Sequence, residues 1–161
     1  MKNKRILFMN QAAMIAAIYV VLTVVFAPFS FREVQVRVSE ALVILPYFTS
    51  AAIPGLAIGC LIGNIIGGAI LPDIIWGSIA TLIGAIGTYY LSKVSKHLAP
   101  IPPIISNAII VPLVLRHAYG VPLPLPVLIL SVAIGEIISA GLIGMIVMKA
   151  LEKHQHKIFK K

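Results

Sequence analysis

The residues that can do chemistry in this chain are a few polar side chains set within apolar segments. Glu136 lies about ten residues into an apolar stretch, so its carboxyl group would lie ~15 Å deep in a membrane-spanning helix. An ionisable group at that depth is costly and indicates a functional site, with a structural hydrogen bond to another helix as the alternative. Two amides, Asn64 and Asn107, are also flanked by apolar residues and can bind either a ligand or a neighbouring helix.

A second set of candidates surrounds Asp73, which follows Pro72. Asp73, Gly77 and Thr81 share one helical face, and Trp76 lies beside Asp73 at a spacing of three residues. An acid, an aromatic plane and a hydroxyl flanking a glycine gap would suit a flat, hydrogen-bonding ligand. The alternatives are that Asp73 is a helix N-cap and that Trp76 is an ordinary interfacial residue.

A third set lies in the motif Arg37-Val-Ser-Glu40, at the end of a polar connector, Ser30–Ser39. Arg37 and Glu40 are three residues apart and can simply pair with each other. The connector, however, leads into an apolar segment that is too short to cross a bilayer alone. Such short helices are tolerated where they line a cavity, and transporters build solute sites from discontinuous helices.

The elements that must position these residues are transmembrane helices. Of the 161 residues, 60% are hydrophobic and only 11% are charged, and the mean hydropathy is +1.03. Soluble domains carry about 25% charged residues, so this composition indicates an integral membrane protein. Proline, glycine and charge divide the chain into apolar stretches. We predict an all-α, six-transmembrane-helix bundle that forms one membrane domain over residues 1–161, with segments at about 8–27, 40–48, 53–71, 73–91, 103–115 and 126–148.

The distribution of basic residues predicts the orientation of the bundle. With the amino terminus in the cytoplasm, ten of the 13 lysines and arginines lie inside, and only Arg32, Arg37 and Arg116 lie outside. This is the positive-inside pattern, with both termini cytoplasmic in a multi-pass plasma-membrane protein. The net charge of +8 is therefore explained by membrane orientation, and nucleic acid is not an expected partner.

Small residues recur at the spacing of packed helices. Glycines at every fourth position of the third segment, and a Gly/Ala stripe in the fourth, indicate close packing within the bundle. The alanine stripe in the first segment lies near the cytoplasmic end, where a partner can dock. The stripes are Gly55, Gly59, Gly63 and Gly67; Gly77, Ala80, Gly84 and Gly87; and Ala12, Ala13, Ala16 and Ala17.

The catalytic motifs that would indicate an enzyme are not in the sequence. Gly-Asn-Ile-Ile-Gly-Gly lacks the Gly-Lys-Ser/Thr ending of a phosphate-binding loop, and there is no His-Glu-x-x-His or Gly-x-Ser-x-Gly. The histidines have no neighbours that would complete a metal site. We therefore expect no metal, no cofactor and no ATPase activity in this chain.

The ordered polar positions resemble a known family. The specific parts are Val36–Leu42, Ile53–Cys60 with Asn64, Asp73–Thr81, Asn107–Val111 and Gly135-Glu136. Together they resemble QueT-type queuosine-precursor transporters, which are substrate-binding (S) components of energy-coupling-factor (ECF) transporters, and the resemblance runs nearly end to end. The proline-rich loop Pro122–Pro126 departs mildly from the family pattern.

The resemblance implies a membrane-embedded subunit of a prokaryotic ABC-type importer. Such a subunit captures a vitamin-like solute from outside, here a 7-deazaguanine base in its cyano or aminomethyl form. A transmembrane coupling protein and two ATPase subunits, which use ATP and Mg²⁺, would be its partners. The family's Ala-xxx-Ala docking motif maps to Ala12, Ala13, Ala16 and Ala17.

The chemistry of such a base suggests roles for the residues of the predicted site, which we state as hypotheses. A carboxylate, from Glu136 or Glu40, would accept the N1–H and exocyclic amine of the base, and an amide would bond its O6 and N7 edge. Trp76 would stack on the ring, and Asp73 would meet an aminomethyl cation. The alternatives are an S component for another vitamin and a proton-coupled secondary transporter that uses Glu136. The predicted substrate-binding residues are Arg37, Glu40, Asn64, Asp73, Trp76, Asn107 and Glu136.

Overall fold

A computed structural model describes residues 2–26 and 36–158 of the chain, and the regular elements of these residues are all helical. Of the predicted connector Ser30–Ser39, only the residues from 36 onward are described, and the end of the predicted first segment also lies outside the described residues. The helices are α1 (Lys2–Val25), a 3-10 helix (Val38–Tyr47), α2 (Ala52–Ile66), α3 (Leu71–Leu91), α4 (Ile101–His117), α5 (Leu125–Glu136), a π-helical stretch (Ile137–Ile143), α6 (Gly144–Glu152) and α7 (Gln155–Ile158), with a short 3-10 turn at Lys96–Leu98.

Four helical stretches are long and apolar enough to cross a membrane. They are Asn3–Val25, Leu71–Leu91, Lys96–His117 and Leu125–Glu152. Large apolar side chains such as Met14, Ile83, Ile109 and Leu130 lie exposed on their outer faces, which suits contact with lipid. The all-helical prediction is therefore confirmed over the described residues, whereas the count of six crossings stays a prediction.

The third predicted segment is shorter than the sequence indicated. We expected it to run over 53–71, but α2 ends at Ile66, because Gly67 and Gly68 turn the chain away from the helix axis. Gly68 has φ of +76°, a left-handed conformation that glycine adopts without steric cost. With 15 residues, α2 is about 22 Å long, less than the ~30 Å hydrocarbon core.

The short helix predicted at 40–48 lies in the centre of the bundle. The structure forms it as a 3-10 helix over Val38–Tyr47, about 20 Å long at 2.0 Å per residue. Every residue from Ser39 to Pro46 is buried, and the helix packs against α1, α2, α3, α6 and the π-helical stretch. Because its backbone is covered by protein, a helix too short to span the bilayer avoids exposing unpaired polar groups to lipid.

The glycine stripe of α2 packs α1 closely against it, as predicted. A Cβ atom added at Gly55 would lie 2.7 Å from the carbonyl oxygen of Ala12, and one at Gly59 would lie 3.1 Å from Cα of Ala16. Only glycine leaves room for backbones to approach so closely. Gly67 is not part of the α2 helix, because it is the C-cap residue.

The stripe on α3 serves two purposes. Gly84 packs against α4, since an added Cβ would lie 2.8 Å from Cα of Pro103. On the same face, the Ser106 hydroxyl donates to the carbonyl oxygen of Ala80 at 3.0 Å. Gly77, nearer the start of α3, does not face another helix backbone; it faces the polar side chains described next.

Candidate functional site

An outer cluster of polar side chains lies where the 3-10 helix, α2 and α3 meet. Arg37, which precedes the 3-10 helix, donates from Nη2 to Oδ1 of Asn64 on α2 at 2.7 Å. The Asn64 amide then lies 3.4 Å from the carbonyl oxygen of Asp73 on α3. All three residues are buried. Gly77 leaves the space between them open, because an added Cβ would lie 3.2 Å from both Asn64 Nδ2 and Asp73 Oδ1.

The interpretation of Asp73 as an N-cap was wrong. The N-cap of α3 is Ile70, which makes no side-chain cap hydrogen bond, and Asp73 lies within the first helical turn. Its carboxylate accepts a hydrogen bond from the Tyr119 hydroxyl at 3.0 Å and lies near the positive end of the α3 dipole. Partial burial, together with the negative charge of Asp73, raises the pKa of Tyr119 above its ordinary value, so the phenol stays protonated as a donor.

An inner cluster surrounds Glu40, deeper in the bundle. The Tyr19 hydroxyl on α1 donates to Oε1 of Glu40, and the Thr81 hydroxyl on α3 lies 3.4 Å from the same oxygen. Thr81 also lies 3.1 Å from the carbonyl oxygen of Gly77, so the inner and outer clusters adjoin along α3. Glu40 is completely buried, and its second oxygen, Oε2, has no hydrogen-bond partner among the described residues.

Glu136 and Asn107 complete the inner cluster from α5 and α4. Glu136 lies close enough to Glu40 and Arg37 to interact with both charges, and Asn107 lies close to both carboxylates. Yet Nδ2 of Asn107 and Oε2 of Glu136 have no partner with ordinary hydrogen-bond geometry in the described part of the chain. Buried polar atoms are rarely left unpaired in a protein interior, so these atoms are available to a ligand.

The structure brings together six of the seven predicted substrate-binding residues. Arg37, Glu40, Asn64, Asp73, Asn107 and Glu136 are buried and lie in the two adjoining clusters. The local Arg37–Glu40 pairing stays an alternative, because the charge of Arg37 acts on Glu40, but the described hydrogen bonds of both residues go to other partners. Arg37 donates to Asn64, and Glu40 accepts from Tyr19.

Trp76 lies apart from both clusters. Its side chain is 52% exposed and lines an outer groove with Pro72 and His117. The neighbouring Gly77 faces inward in its place. A stacking role for Trp76 stays a prediction, but its position in this structure does not support that role.

Two residues of the inner cluster had not been predicted as site residues. Tyr19 lies three residues after Ala16, and the alanine stripe had drawn attention to packing rather than to the hydroxyl that follows it. Thr81 shares a helical face with Asp73 and Gly77, and this spacing is the sequence signal that indicates a place in the site. It is not among the predicted substrate-binding residues.

The alanine stripe of α1 has two faces in the structure. Ala12 and Ala16 contact the glycines of α2, and their face is therefore used within the bundle. Ala13 and Ala17 are exposed on the other side of the helix. A docking role for the stripe is untested, and only the second face is open to a partner.

Comparison with protein-family models gives a match over most of the chain. A family model described as QueT transporter matches residues 9–153, nearly the whole chain. Comparison with curated proteins and with solved structures found no significant match.

Proposed function

The chain belongs to the QueT transporter family, and from that premise we propose that it is the substrate-binding component of an ECF transporter for a queuosine precursor. Membership of a transporter family, together with four long apolar helices, makes the chain a multi-pass membrane protein and a transporter component, not an enzyme. In the proposed function it captures a 7-deazaguanine base from outside the cell. Partner subunits, namely a coupling protein and two ATPases that use ATP and Mg²⁺, drive its uptake.

The observation that carries this proposal is the pair of incompletely bonded carboxylates in the inner cluster. Glu40 and Glu136 each keep one buried oxygen without a partner among the described residues. A guanine-like edge presents N1–H and an exocyclic amine as adjacent donors, which suit carboxylate oxygens. The unpartnered Nδ2 of Asn107 would donate to an acceptor of the same base.

Binding of labelled 7-cyano- and 7-aminomethyl-7-deazaguanine to purified protein tests the proposal. We expect Glu40→Gln and Glu136→Gln each to weaken binding by ~10- to 150-fold, since a hydrogen bond to a charged group contributes about 1.5–3 kcal/mol. Glu152→Gln is the matched control, because it makes the same chemical change at a carboxylate that pairs with Lys96 outside the clusters. Unchanged affinity in both site variants would remove these carboxylates from the binding site.

The proposed orientation places both termini in the cytoplasm and the outer cluster toward the outside. It is supported by the segregation of charge, since the described basic residues Lys4, Lys93, Lys96 and Lys149 lie at helix ends away from the outer cluster. Cysteine labelling from each side of the membrane tests it. Reagent access to the Lys96 end from outside intact cells would contradict this orientation.

Docking of the coupling protein is proposed to use the exposed face of α1. Ala13 and Ala17 are open, so a bulky side chain there blocks a close helix approach without disturbing the contact with α2. We expect Ala13→Leu and Ala17→Leu to reduce co-purification of the coupling protein. Ala150→Leu, at an exposed alanine on α6, is the control, and equal loss in all three variants would refute this docking face.

A proton-coupled secondary transporter is the second candidate. The observation that favours it is that Glu136 is buried, lies near Glu40 and keeps an oxygen unpaired, as expected of a proton-carrying carboxyl group. This candidate requires that the chain alone, in liposomes, takes up substrate in response to a proton gradient. An ECF component instead requires its partner subunits and ATP.

A further inference from the structure

A pocket of about 490 Å³ lies at the end of the bundle away from the two polar clusters. We call it the basic-end pocket. Its walls come from the first turns of α1, the end of the 3-10 helix and the loop after it, and the last turn of α3. The residues that matter for its chemistry are Lys4, Gln11, Tyr47, Thr49, Tyr89 and Lys93.

The residues that line the basic-end pocket include two lysines, Lys4 and Lys93, and no acidic residue. Glu152, the only acidic residue at this end of the described chain, borders the pocket, where its Oε1 lies 3.5 Å from the Tyr47 hydroxyl. Its charge is already paired, because the Lys96 ammonium group holds both of its oxygens at 3.0 and 3.1 Å. Lys93 instead lies over an aromatic ring, with Nζ 3.8 Å from the centroid of Tyr89. Lys4, in the first turns of α1, is exposed at the mouth of the pocket.

The wall of the pocket is amphipathic. Phe8, Pro46 and Phe48 supply apolar surface, and Phe8 remains 42% exposed on the outside of α1. Polar groups line the other side, where the Thr49 hydroxyl and the Gln11 side chain are joined by a hydrogen bond of 2.9 Å. An occupant of this pocket therefore has a charged or polar part and an apolar part that continues along the bundle surface.

We propose that the basic-end pocket binds the phosphate headgroup of an anionic phospholipid, with Lys4 and Lys93 as the phosphate-binding residues. Basic pockets between transmembrane helices at the membrane surface have this chemistry, and the tyrosines here, Tyr47, Tyr89 and Tyr90, match the aromatic belt at headgroup level. The exposed Phe8 beside the pocket gives an acyl chain a path along α1. A free phosphate has no use for that apolar wall, and for this reason we assign the lipid.

Native mass spectrometry of the full chain, titrated with phosphatidylglycerol and with phosphatidylcholine of the same acyl chains, tests the proposal. We expect phosphatidylglycerol to bind preferentially, and the double variant Lys4→Gln/Lys93→Gln to lose ~25-fold in affinity, from about fivefold for each lysine. Glycerol 3-phosphate and inorganic phosphate, measured by competition, distinguish a lipid from a free phosphate. In the expected result neither displaces the lipid at equal concentration.

The matched control is the double variant Lys149→Gln/Lys153→Gln, which removes the same charge from exposed positions on and just after α6, outside the pocket. It should retain the affinity of the unaltered protein. An equal loss in the two double variants would show general attraction to a basic surface and would overturn the proposal. Displacement of the lipid by glycerol 3-phosphate at equal concentration would overturn the assignment to a lipid, and no preference over phosphatidylcholine would overturn the proposal outright.

A Tyr89→Leu variant keeps the charge of Lys93 but removes the ring beside its ammonium group, and so tests whether the position of Lys93 matters. Without this ring the ammonium group of Lys93 loses its nearer aromatic contact and keeps only the Tyr90 ring, whose centroid is 5.2 Å from Nζ. We therefore expect a several-fold loss of affinity while both lysines remain. Affinity equal to that of the unaltered protein would show that the ring does not position Lys93, and would overturn that part of the proposal. None of these measurements depends on the identity of the transported solute.

Discussion

Replacing Gly59 by alanine tests whether the close packing of α1 against α2 positions Tyr19 in the inner cluster. The added Cβ atom would lie 2.8 Å from Cβ of Tyr19 and 3.1 Å from both Cα and the carbonyl oxygen of Ala16. None of these atoms can be rotated away, because two belong to the backbone and the third is fixed to it. Ordinary contact begins at 3.4 Å, so α1 and α2 must separate by about 0.6 Å at this level.

The size of the effect follows from a comparison with Gly141→Ala. At Gly141 an added Cβ would meet only the side chains of Ile104 and Ile137, each at 3.9 Å. Both glycines are helical, Gly59 in α2 and Gly141 in the π-helical stretch, so replacing either by alanine gains a similar amount from the reduced backbone freedom, up to about 1 kcal/mol, and this gain largely cancels in the comparison. What remains is the cost of overpacking at Gly59, and we expect Gly59→Ala to be less stable than Gly141→Ala by about 1–3 kcal/mol.

The assay is reversible unfolding of the two variants in mixed micelles, followed by circular dichroism. Because the displaced residue, Tyr19, donates to Glu40, we also expect Gly59→Ala to bind a labelled deazaguanine more weakly than Gly141→Ala under the proposed function. Equal unfolding free energies for the two variants would refute the packing argument. Equal stability would also mean that α1 and α2 are less tightly packed than the structure shows.

Two further predictions concern single hydroxyl groups. Tyr119→Phe removes the hydrogen bond to Asp73. Because the pKa of Tyr119 is raised in the folded protein, the stability that depends on this phenol is present below pH ~10 and is lost as the pH rises above it. In unfolding measured at each pH, the unaltered protein should therefore lose more stability between pH ~9 and ~12 than Tyr119→Phe. Ser106→Ala removes the side-chain donor to the Ala80 carbonyl and should cost about 0.5–1.5 kcal/mol of unfolding free energy. A cost no greater than that of an exposed Ser50→Ala control would contradict the assigned hydrogen bond.

The helices could be predicted from the sequence because their ends are marked by residues with strong local preferences. Pro72 lies in the first turn of α3 and Pro102 in the first turn of α4, positions where a missing N–H costs nothing. The early end of α2 was missed because Gly67 fits equally well as another member of a packing stripe. Its role as a helix end depends on the turn that follows, which the spacing of glycines does not reveal.

The identity of most polar residues of the site could be predicted from the sequence, but the direction in which each side chain points could not. Trp76 and Gly77 both lie within about 60° of Asp73 around an α-helix, so spacing alone does not decide which of them faces inward. The structure turns Gly77 inward, because Asn64 and Arg37 fill the space beside it. Likewise, the position of Tyr19 depends on which face of α1 the glycines of α2 accept, and this is a property of the pair of helices.

The π-helical stretch Ile137–Ile143 has a consequence for how this part of the chain can vary. Glu136 and Met148 are both buried, yet 12 residues of uninterrupted α-helix would place them about 120° apart around the axis. Each π turn holds more residues than an α turn, so the stretch accommodates one extra residue without further rotation around the helix axis. Both side chains therefore come to the same side of the helix. A chain one residue shorter between these positions would present the same two side chains from a continuous α-helix. The stretch therefore has the geometry of a one-residue insertion, and we expect a variant that lacks one residue here to keep both its buried carboxylate and its buried methionine.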